Sequence, residues 1–436
     1  MGYKKEYLEK LGTLEDAAAL VKSGDRVFIG FAASVAYRLM DALWARKDEL
    51  EDVAILSSLI LKPIGPYSSA DHKFSFASPF LGPQERLAIK LGVPNEISSF
   101  HLSEVDLWIE AIARPTVAFI ECSVPDENGY MSYGPSGTCV DSFAVEKADI
   151  VIAQVNRNVP YIYGSEGAFL HVGQCDMIVE ADDVLPDPVE KPSDEVTKKL
   201  SAHVLREIPD GATIQMGIGA LSNEIGYGLM DHNDLGIYTE MFVPSMMALM
   251  KNGNVTNTKK GFLDGKSIFS FGIGPNEMYR YMDHNEQIYA MPFPFVNDSR
   301  NIAKNKRMIS VNSAMEVNIY GEVAADCMNF KQQSACGGQL DFVQGAQWSE
   351  GGKSIIALAS SMMKDGKRIS KISVDFSVGT AVTTPRGDVE YIATEYGCVN
   401  LKRLPLRDRV RAMIGLAHPD FRDELTEEAK RYKLIP

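Results

Sequence analysis

The chain contains the stretch Asp234-Leu-Gly-Ile-Tyr-Thr-Glu240-Met-Phe242, a short apolar run that ends on a carboxylate. We interpret it as a buried strand with Glu240 at its carboxyl end. About 20 residues upstream, residues 214–221 (IQMGIGAL) form a second buried-strand run, which breaks into glycines that let a ligand approach the backbone. Ligands bind at the carboxyl ends of strands in open α/β sheets. The two runs therefore predict a glycine cradle and a candidate catalytic carboxylate at one sheet edge.

A second interpretation of Glu240 is structural. A helix is predicted over residues 241–251, and a carboxylate at a helix N-terminus is stabilised by about 0.3 to 1 kcal/mol. The glycines are equally ambiguous, because a lone Gly-x-Gly is most often a tight turn or a close helix contact. Taken alone, these residues leave both interpretations open.

The two halves of the chain contain similar motifs. Residues 21–32 and residues 208–219 both show a helix end, a glycine turn, a buried strand and a further glycine, and aligning Gly24 with Gly211 gives an offset of 211 − 24 = 187. Residues 117–131 resemble residues 309–323 at nearly the same offset, 321 − 129 = 192. A repeat this long indicates duplicated domains, since the units of a solenoid are much shorter.

A polar, proline-punctuated stretch at residues 182–193 (DDVLPDPVEKPS) separates the halves. We therefore predict an N-terminal domain over residues 1–185 and a C-terminal domain, carrying Glu240, over residues 193–436. Apolar strand-like runs alternate with helical periodicity in both, for example Val53 to Leu56 and the spacing of Leu406, Val410 and Met413. The expected fold is two related open α/β domains with mainly parallel sheets and an active site in the cleft between them.

Composition limits the function further. The formal charge is 44 − 58 = −14, which argues against nucleic-acid binding, because neutralising phosphates requires a basic face. The sequence has no run of 18 apolar residues, so we expect a cytoplasmic protein without a membrane span. Six scattered cysteines show no zinc-site spacing, and we expect reduced thiols and no metal. Two basic clusters (Lys259, Lys260 and Lys266; Arg300, Lys304, Lys306 and Arg307) are better explained as solvated surface than as a phosphate-binding patch.

Three further segments carry a family resemblance. Residues 334–346 (SACGGQLDFVQGA), residues 351–358 (GGKSIIAL) and the tail at residues 417–422 (AHPDFR) resemble the acetyl-CoA hydrolase/transferase family. Together with the glycine and Glu240 motifs, the similarity runs from about residue 10 to residue 425. Within the family it is nearest to the 4-hydroxybutyrate and butyryl-CoA:acetate CoA-transferases. Tyr238 departs from the family pattern, which usually has His two residues before the glutamate.

The resemblance implies a CoA-transferase with Glu240 as the nucleophile of a ping-pong reaction through a glutamyl-CoA thioester. Coenzyme A is then a substrate, no cofactor is needed, and the partners are acyl-CoA, short-chain carboxylic acids and a second copy in a homodimer. The implied CoA-binding positions are Gln215, Met216, Gly217, Ile218 and Gly219 on the first glycine loop, and Gly338 on the second, with Met315 on a strand over residues 312–316. Asn297 is a further candidate, as a side-chain donor to a thioester oxyanion.

Other functions remain as alternatives. An acyl-CoA hydrolase would use the same glutamyl intermediate with water as acceptor, and a CoA- or nucleotide-binding sensor would use Glu240 only as a cap. A dinucleotide-dependent dehydrogenase is disfavoured because Ser222 stands where Gly-x-Gly-x-x-Gly needs its third glycine.

Several conspicuous side chains are expected to be structural. They are the tail histidine, two strand-end carboxylates, the cysteine of the glycine-rich segment and a methionine and aromatic cluster: His418, Glu121, Glu395, Cys336, Met241, Phe242, Met246, Met247 and Met250.

Overall fold

The computed structural model describes residues 2–69, 73–189, 192–217 and 219–436, and the chain divides into two compact units. The first unit combines residues 1–189 with residues 266–296, and the second combines residues 190–265 with residues 297–436. Residues 266–296, which the predicted C-terminal domain contains, therefore pack with the first unit.

The elements follow in chain order. Up to residue 189 they are helices α1 (Gly2–Glu9), α2 (Leu14–Ala19), α3 (Tyr37–Ala45), α4 (Pro83–Leu91), α5 (Val105–Trp108), α6 (Gly134–Gly137) and α7 (Asp141–Lys147), and strands β1 (Arg26–Phe31), β2 (Val53–Ser58), β3 (Phe74–Ser78), β4 (Asn95–Ile97), β5 (Val117–Cys122), β6 (Tyr130–Ser132), β7 (Ile150–Val155), β8 (Phe169–His171) and β9 (Met177–Glu180). From residue 192 to residue 296 they are helices α8 (Glu195–Leu205), α9 (Ala220–Gly228), α10 (Pro244–Asn252), α11 (Asn276–Met282) and α12 (Phe293–Val296), and strands β10 (Thr213–Met216), β11 (Gly236–Phe242), β12 (Ser267–Gly272) and β13 (Ile288–Ala290). From residue 297 they are helices α13 (Ser299–Ala303), α14 (Gln339–Trp348), α15 (Leu406–Leu416) and α16 (Pro419–Arg431), and strands β14 (Met308–Ser313), β15 (Glu316–Asn318), β16 (Val323–Ala324), β17 (Cys327–Met328), β18 (Lys331–Gln332), β19 (Lys353–Ala357), β20 (Ser361–Lys364), β21 (Lys367–Ser370), β22 (Ile372–Ser373), β23 (Tyr391–Thr394) and β24 (Gly397–Asn400).

The first unit is built on a parallel sheet with the strand order β4-β3-β2-β1-β5-β7-β9. Strands β1, β2 and β5 are buried along nearly their whole length, as expected of parallel strands covered by helices on both faces. An apolar core formed by β1, β2, β3 and the inner faces of α3 and α4 holds the unit together.

The second unit has a mainly parallel sheet in which β11, β10, β14, β19 and β23 are neighbours in that order. The last strand, β24, is antiparallel and pairs with β23. A separate core lies under α15 and α16 and includes Val410, Met413 and Leu425. The predicted α/β class with mainly parallel sheets is confirmed.

The two sheets share a strand order. The first strand of each unit, β1 or β10, lies between the second strand on one side and three successive parallel strands on the other: β2-β1-β5-β7-β9 in the first unit and β11-β10-β14-β19-β23 in the second. Gly24 and Gly211 each stand two residues before that first strand, and both have positive φ (86° and 71°). This agreement supports the duplication inferred from the sequence.

Aromatic packing explains why residues 266–296 belong to the first unit. Phe271 in β12 and Phe293 in α12 both make edge contacts with Phe31 at the end of β1, with ring centroids 5.1 and 5.6 Å apart. The two inserted rings also contact each other at 5.7 Å. These three buried rings anchor the segment.

Among the residues that the structure describes, no helix combines the length and apolarity that crossing a bilayer requires. None of the described His, Cys, Asp and Glu side chains form a group of three arranged around a possible metal position. All six cysteines are free thiols.

Candidate active site

Glu240 lies within β11 and not at the start of the helix that follows it in the chain. The strand continues through Glu240 to Phe242, and the following helix, α10, begins only at Pro244. The residue that precedes α10 is Val243, which makes no side-chain capping bond. The helix predicted over residues 241–251 thus begins later than expected, and the interpretation of Glu240 as its cap is wrong.

Two donors hold the Glu240 carboxylate. The side-chain amide Nδ2 of Asn297 donates to Oε2 at 2.6 Å, and the backbone N–H of Gly338 also donates to the carboxylate. Gly338 directly precedes α14, so the carboxylate lies at the N-terminus of that helix. The positive end of the helix dipole and an unpaired N–H favour an anion at such a position.

Gly338 is glycine because a side chain would collide with this pair. A Cβ at residue 338 would stand 2.0 Å from Glu240 Oε2 and 2.1 Å from Asn297 Nδ2. Its φ of −94° is accessible to any residue, so the requirement is for space and not for backbone freedom. The neighbouring Gly337, with φ of +61°, supplies the left-handed turn that leads into the helix.

Burial raises the pKa of the Glu240 carboxyl to about 7. The negative charge of Asp341, in the first turn of α14, also raises this pKa, whereas the Asn297 amide and the Gly338 N–H oppose the shift. Although residue Glu240 as a whole is partly exposed, its carboxylate is largely desolvated, so the ionised form is a poorly solvated anion. Such a group suits nucleophilic attack on a polarised carbonyl.

Tyr238 lies on the same face of β11 as Glu240, because strand side chains alternate with a period of two. It is fully buried and its ring packs against Phe262 at 6.2 Å between centroids. The position at which this chain departs from the family pattern is therefore enclosed by protein.

The first glycine loop differs in part from the prediction. Gln215 and Met216 lie in β10, paired with Ser310 and Val311, and are not loop residues. The N–H of Gly217 donates to the carbonyl of Val311 at 3.2 Å and so continues the sheet. Ile218 lies outside the described residues.

Gly219 is the exposed part of this loop. It precedes α9 with φ of +112°, and a Cβ there would meet no described atom within 4 Å. The first N–H groups of a helix have no partner within the helix, so the start of α9 can receive a phosphate or a carbonyl of a ligand.

Met315 follows β14 rather than lying on it, and its backbone N–H donates to the carbonyl of Ala324 at 2.9 Å. That amide is therefore engaged by the protein's own backbone.

Three of the polar side chains expected to be structural make hydrogen bonds within the fold. His418 caps α16 by accepting from the N–H of Asp420, and Glu395 accepts from both the N–H and the hydroxyl of Ser360. Glu121 is buried and accepts from the amides of Gln154 and Asn156. The methionine and aromatic cluster is buried core, with members Met241, Phe242, Met246, Met247 and Met250.

Most of the basic side chains of the second unit are engaged within it. Lys259 pairs with Asp234 at 2.6 Å, and Arg300 pairs with Asp298 at 2.9 Å. Lys260 is an exception to the expected exposure: it is buried, and burial lowers the pKa of its amine to about 7.

The sequence did not predict that Asp341 acts on Glu240, and it predicted a different hydrogen-bond acceptor for Asn297. Asp341 lies inside the glycine-rich segment, but nothing in its local pattern shows that its charge reaches Glu240. Asn297 was predicted as a donor to an oxyanion, whereas here it donates to the glutamate itself. Both relations arise from long-range packing of α14 and of the segment before α13 against β11.

Comparison with known proteins finds relatives over the whole chain. The N-terminal domain model of the acetyl-CoA hydrolase/transferase family matches residues 1–189, and the C-terminal domain model matches residues 274–429. The chain is 34% identical to a butyryl-CoA:acetate CoA-transferase from Anaerostipes caccae, covering 100% of this chain and 99% of that protein. It is 35% identical to a 4-hydroxybutyrate coenzyme A transferase from Clostridium kluyveri, covering 99% and 100%.

A solved structure agrees over the whole length. The crystal structure of RipA from Yersinia pestis superposes with a TM-score of 0.91 at 33% identity and covers 100% of both chains. The two family models and the full-length relatives agree with the resemblance carried by the glycine-rich segment and the Glu240 strand. The chain therefore belongs to the acetyl-CoA hydrolase/transferase family.

Proposed function

We propose that the protein transfers coenzyme A between short-chain acyl-CoA esters and free carboxylates, with Glu240 as the covalent nucleophile. The observation that carries this proposal is that the Asn297 amide and the Gly338 N–H both donate hydrogen bonds to the Glu240 carboxylate. Residue 338 must be glycine, because a Cβ there would collide with this pair. The full-length relatives are CoA-transferases, and the chain is an enzyme of that kind. Acetate, butyrate and 4-hydroxybutyrate are the acyl groups that these relatives suggest.

The reaction proceeds in four steps. A Glu240 carboxylate oxygen attacks the thioester carbonyl, and the C–S bond breaks to release CoA thiolate and leave a mixed anhydride. The thiolate attacks the glutamyl carbonyl, which releases the first carboxylate and forms glutamyl-CoA thioester. The acceptor carboxylate then attacks this thioester, and the released thiolate finally attacks the new acyl carbonyl, which gives the new acyl-CoA and restores Glu240.

The two hydrogen-bond donors at Glu240 are placed to stabilise the negative charge that develops on oxygen during these reaction steps. Each step passes through a tetrahedral centre with an oxyanion, and preorganised N–H donors stabilise such charge more effectively than water does. The Asn297 amide and the Gly338 N–H already face a negative oxygen in the resting enzyme. Coenzyme A would be held by the exposed start of α9 at Gly219 and by the loop before α14.

Substitution of Glu240 tests the proposal. Glu240→Gln keeps the shape and removes the nucleophile, so transfer should fall by more than the roughly 10²- to 10⁴-fold typical of a general acid or base. Glu240→Asp should be nearly inactive, because the carboxylate retracts by about 1.5 Å, beyond near-attack distance. CoA affinity, measured by calorimetry, should be retained in both variants. Turnover by Glu240→Gln above about a tenth of wild type contradicts the nucleophilic role.

The competing outcome is hydrolysis of the glutamyl thioester by water. A transferase gives parallel lines in double-reciprocal plots with a carboxylate as second substrate, whereas a hydrolase consumes acyl-CoA without one. A screen of carboxylate acceptors with acetyl-CoA, read by the new CoA ester, also identifies the acyl groups. Acyl-CoA consumption that no acceptor accelerates would favour the hydrolase.

We further propose a cytoplasmic homodimer, which the family resemblance supports. Light scattering on the purified protein across a range of concentrations should give twice the mass of the 436-residue chain. A monomer throughout that range contradicts the dimer.

A further inference from the structure

One face of the second unit's sheet carries several polar side chains that are buried or half-buried. In β14 the side chains of Ser310 and Asn312 alternate with those of Ile309 and Val311, and the register pairs Ser310 with Gln215 of β10. Strands of a parallel sheet buried on both faces are normally apolar on both. Here Ser310 and Asn312 share one face of β14 with Met308, whereas Ile309 and Val311 lie on the other face.

The polar face is the one that carries Glu240. The register of β10 with β11 pairs Thr213 with Gly236, so Gln215, two residues further on, shares its face with Tyr238 and Glu240. Helix α14, whose N-terminus meets the Glu240 carboxylate, packs on β14 and β19. The polar side chains of this face thus lie between the sheet and the elements that hold the nucleophile.

Three polar side chains of this face, and Asn297, which donates to Glu240, each have a buried polar atom with no hydrogen-bond partner among the described residues. The atoms are Gln215 Oε1, Asn297 Oδ1, Ser310 Oγ and Asn312 Nδ2. Gln215, Asn297 and Ser310 are at most 3% exposed, so bulk water does not reach them. An unpaired buried polar atom costs about 1 to 3 kcal/mol, so these four atoms call for a hydrogen-bond partner.

The four atoms make a balanced set for water. Gln215 Oε1 and Asn297 Oδ1 accept hydrogen bonds, while the Ser310 hydroxyl and the Asn312 amide donate them. A water molecule donates twice and accepts twice, and buried waters typically make about three such bonds. Gly217, the next position along this face, leaves room: a Cβ there would meet no described atom closer than 3.9 Å.

We propose that Gln215, Ser310 and Asn312 hold an internal water molecule that fixes the Asn297 side chain as a hydrogen-bond donor to Glu240. The two ends of an amide have nearly the same shape, so only their hydrogen bonds decide which one faces the carboxylate. A water that donates to Oδ1 requires the Nδ2 end to face Glu240. Gln215, Ser310 and Asn312 are then positioning residues, acting on the nucleophile through Asn297.

The role in catalysis rests on the proposed function, whereas the water site itself does not. If the amide loses its fixed orientation, its donation to Glu240 weakens. The carboxylate is then less stabilised relative to the acid, so the pH at which the enzyme gains activity should move upward. Binding of acyl-CoA should be unaffected, because the site lies beneath the nucleophile.

Two matched serine variants test the proposal. Ser310 and Ser354 are paired across β14 and β19 and both are fully buried, but the Ser354 hydroxyl already accepts from Gln347 Nε2 at 3.0 Å. Ser310→Ala should lower kcat roughly 3- to 10-fold, the scale of one hydrogen bond, and shift the ascending pH limb upward with KM unchanged. Ser354→Ala should leave kcat and the pH limb as in wild type. Both should lower the melting temperature, because each removes a paired hydroxyl.

Different results would overturn the water site and the positioning role. A raised melting temperature for Ser310→Ala with unchanged kcat means that the hydroxyl was unpaired, which overturns the water site. Equal losses of kcat in the two serine variants overturn the positioning role. A crystal structure of the wild type should show an ordered water within about 3.2 Å of both Gln215 Oε1 and Asn297 Oδ1, and its absence overturns the proposal. If that water is present but Glu240 never carries CoA, the proposed function fails while the water site stands.

Discussion

Glu240 is close to half ionised at neutral pH, because burial raises the pKa of its carboxyl to about 7. Only the carboxylate is a nucleophile, so kcat/KM for acyl-CoA should rise with pH and level off above pH 7. An ordinary glutamate would complete this rise near its usual pKa of about 4.3. The pH dependence of kcat/KM measures the difference directly, since it reports the free enzyme.

The Asn297→Ala variant tests in which direction the hydrogen bond from Asn297 shifts the pH dependence of kcat/KM. The Asn297 amide stabilises the carboxylate, so its removal should move the ascending limb above pH 7 as well as lower the rate. CoA binding over the same pH range is the control, because phosphate monoesters also titrate near pH 6. A limb at pH 4 to 5 in the wild type, or a downward shift in the variant, contradicts this account of the carboxylate.

Much of the site was predictable at the residue scale. Glu240, Gly338 and Asn297 all follow from short motifs and the family resemblance. Their mutual contacts do not, because the three residues are far apart in sequence and meet through packing. The side chain of Gln215 was also missed: it was considered for its backbone, whereas its side chain faces the polar interior.

At the scale of elements, the N-terminus of α14 is the feature that organises the site. It brings the Gly338 N–H to a carboxylate supplied by β11. The sequence predicted a helix after Glu240 and misplaced its start, although Pro244 is a helix-initiating signal. Local patterns locate a helix end within a few residues, but they do not show which distant strand it faces.

Gly338→Ala tests this arrangement. Alanine tolerates the backbone of residue 338, so the fold should persist, but its Cβ must displace the Glu240 carboxylate or the Asn297 amide. A displacement of about 1 Å at reacting atoms costs on the order of 100-fold in rate, which steady-state kinetics will show.

Gly415→Ala is the matched control for that variant. Gly415 lies in α15, and a Cβ there meets no described atom within 4 Å. This change should leave transfer unaltered and stabilise the helix by roughly 0.5 to 1 kcal/mol. Normal transfer by Gly338→Ala, or equal losses in the two variants, contradicts the steric role of Gly338.

For the whole molecule, the repeat was the most informative sequence feature. It predicted two related α/β halves, and both units have the same order of five parallel strands. The assignment of residues 266–296 to the first unit was not predictable, because it depends on Phe271 and Phe293 packing on Phe31. Such contacts between distant segments leave no signature in a single sequence.

The central claim is that the enzyme carries CoA as a thioester on Glu240 between its two half-reactions. Wild-type protein incubated with acyl-CoA and no acceptor should carry one CoA, joined with loss of water, on the tryptic peptide of residues 207–251. Fragmentation of that peptide by mass spectrometry should place CoA on Glu240, and the peptide with the buried Glu121 should remain unmodified. Absence of the adduct, or its presence on another residue, would contradict the account.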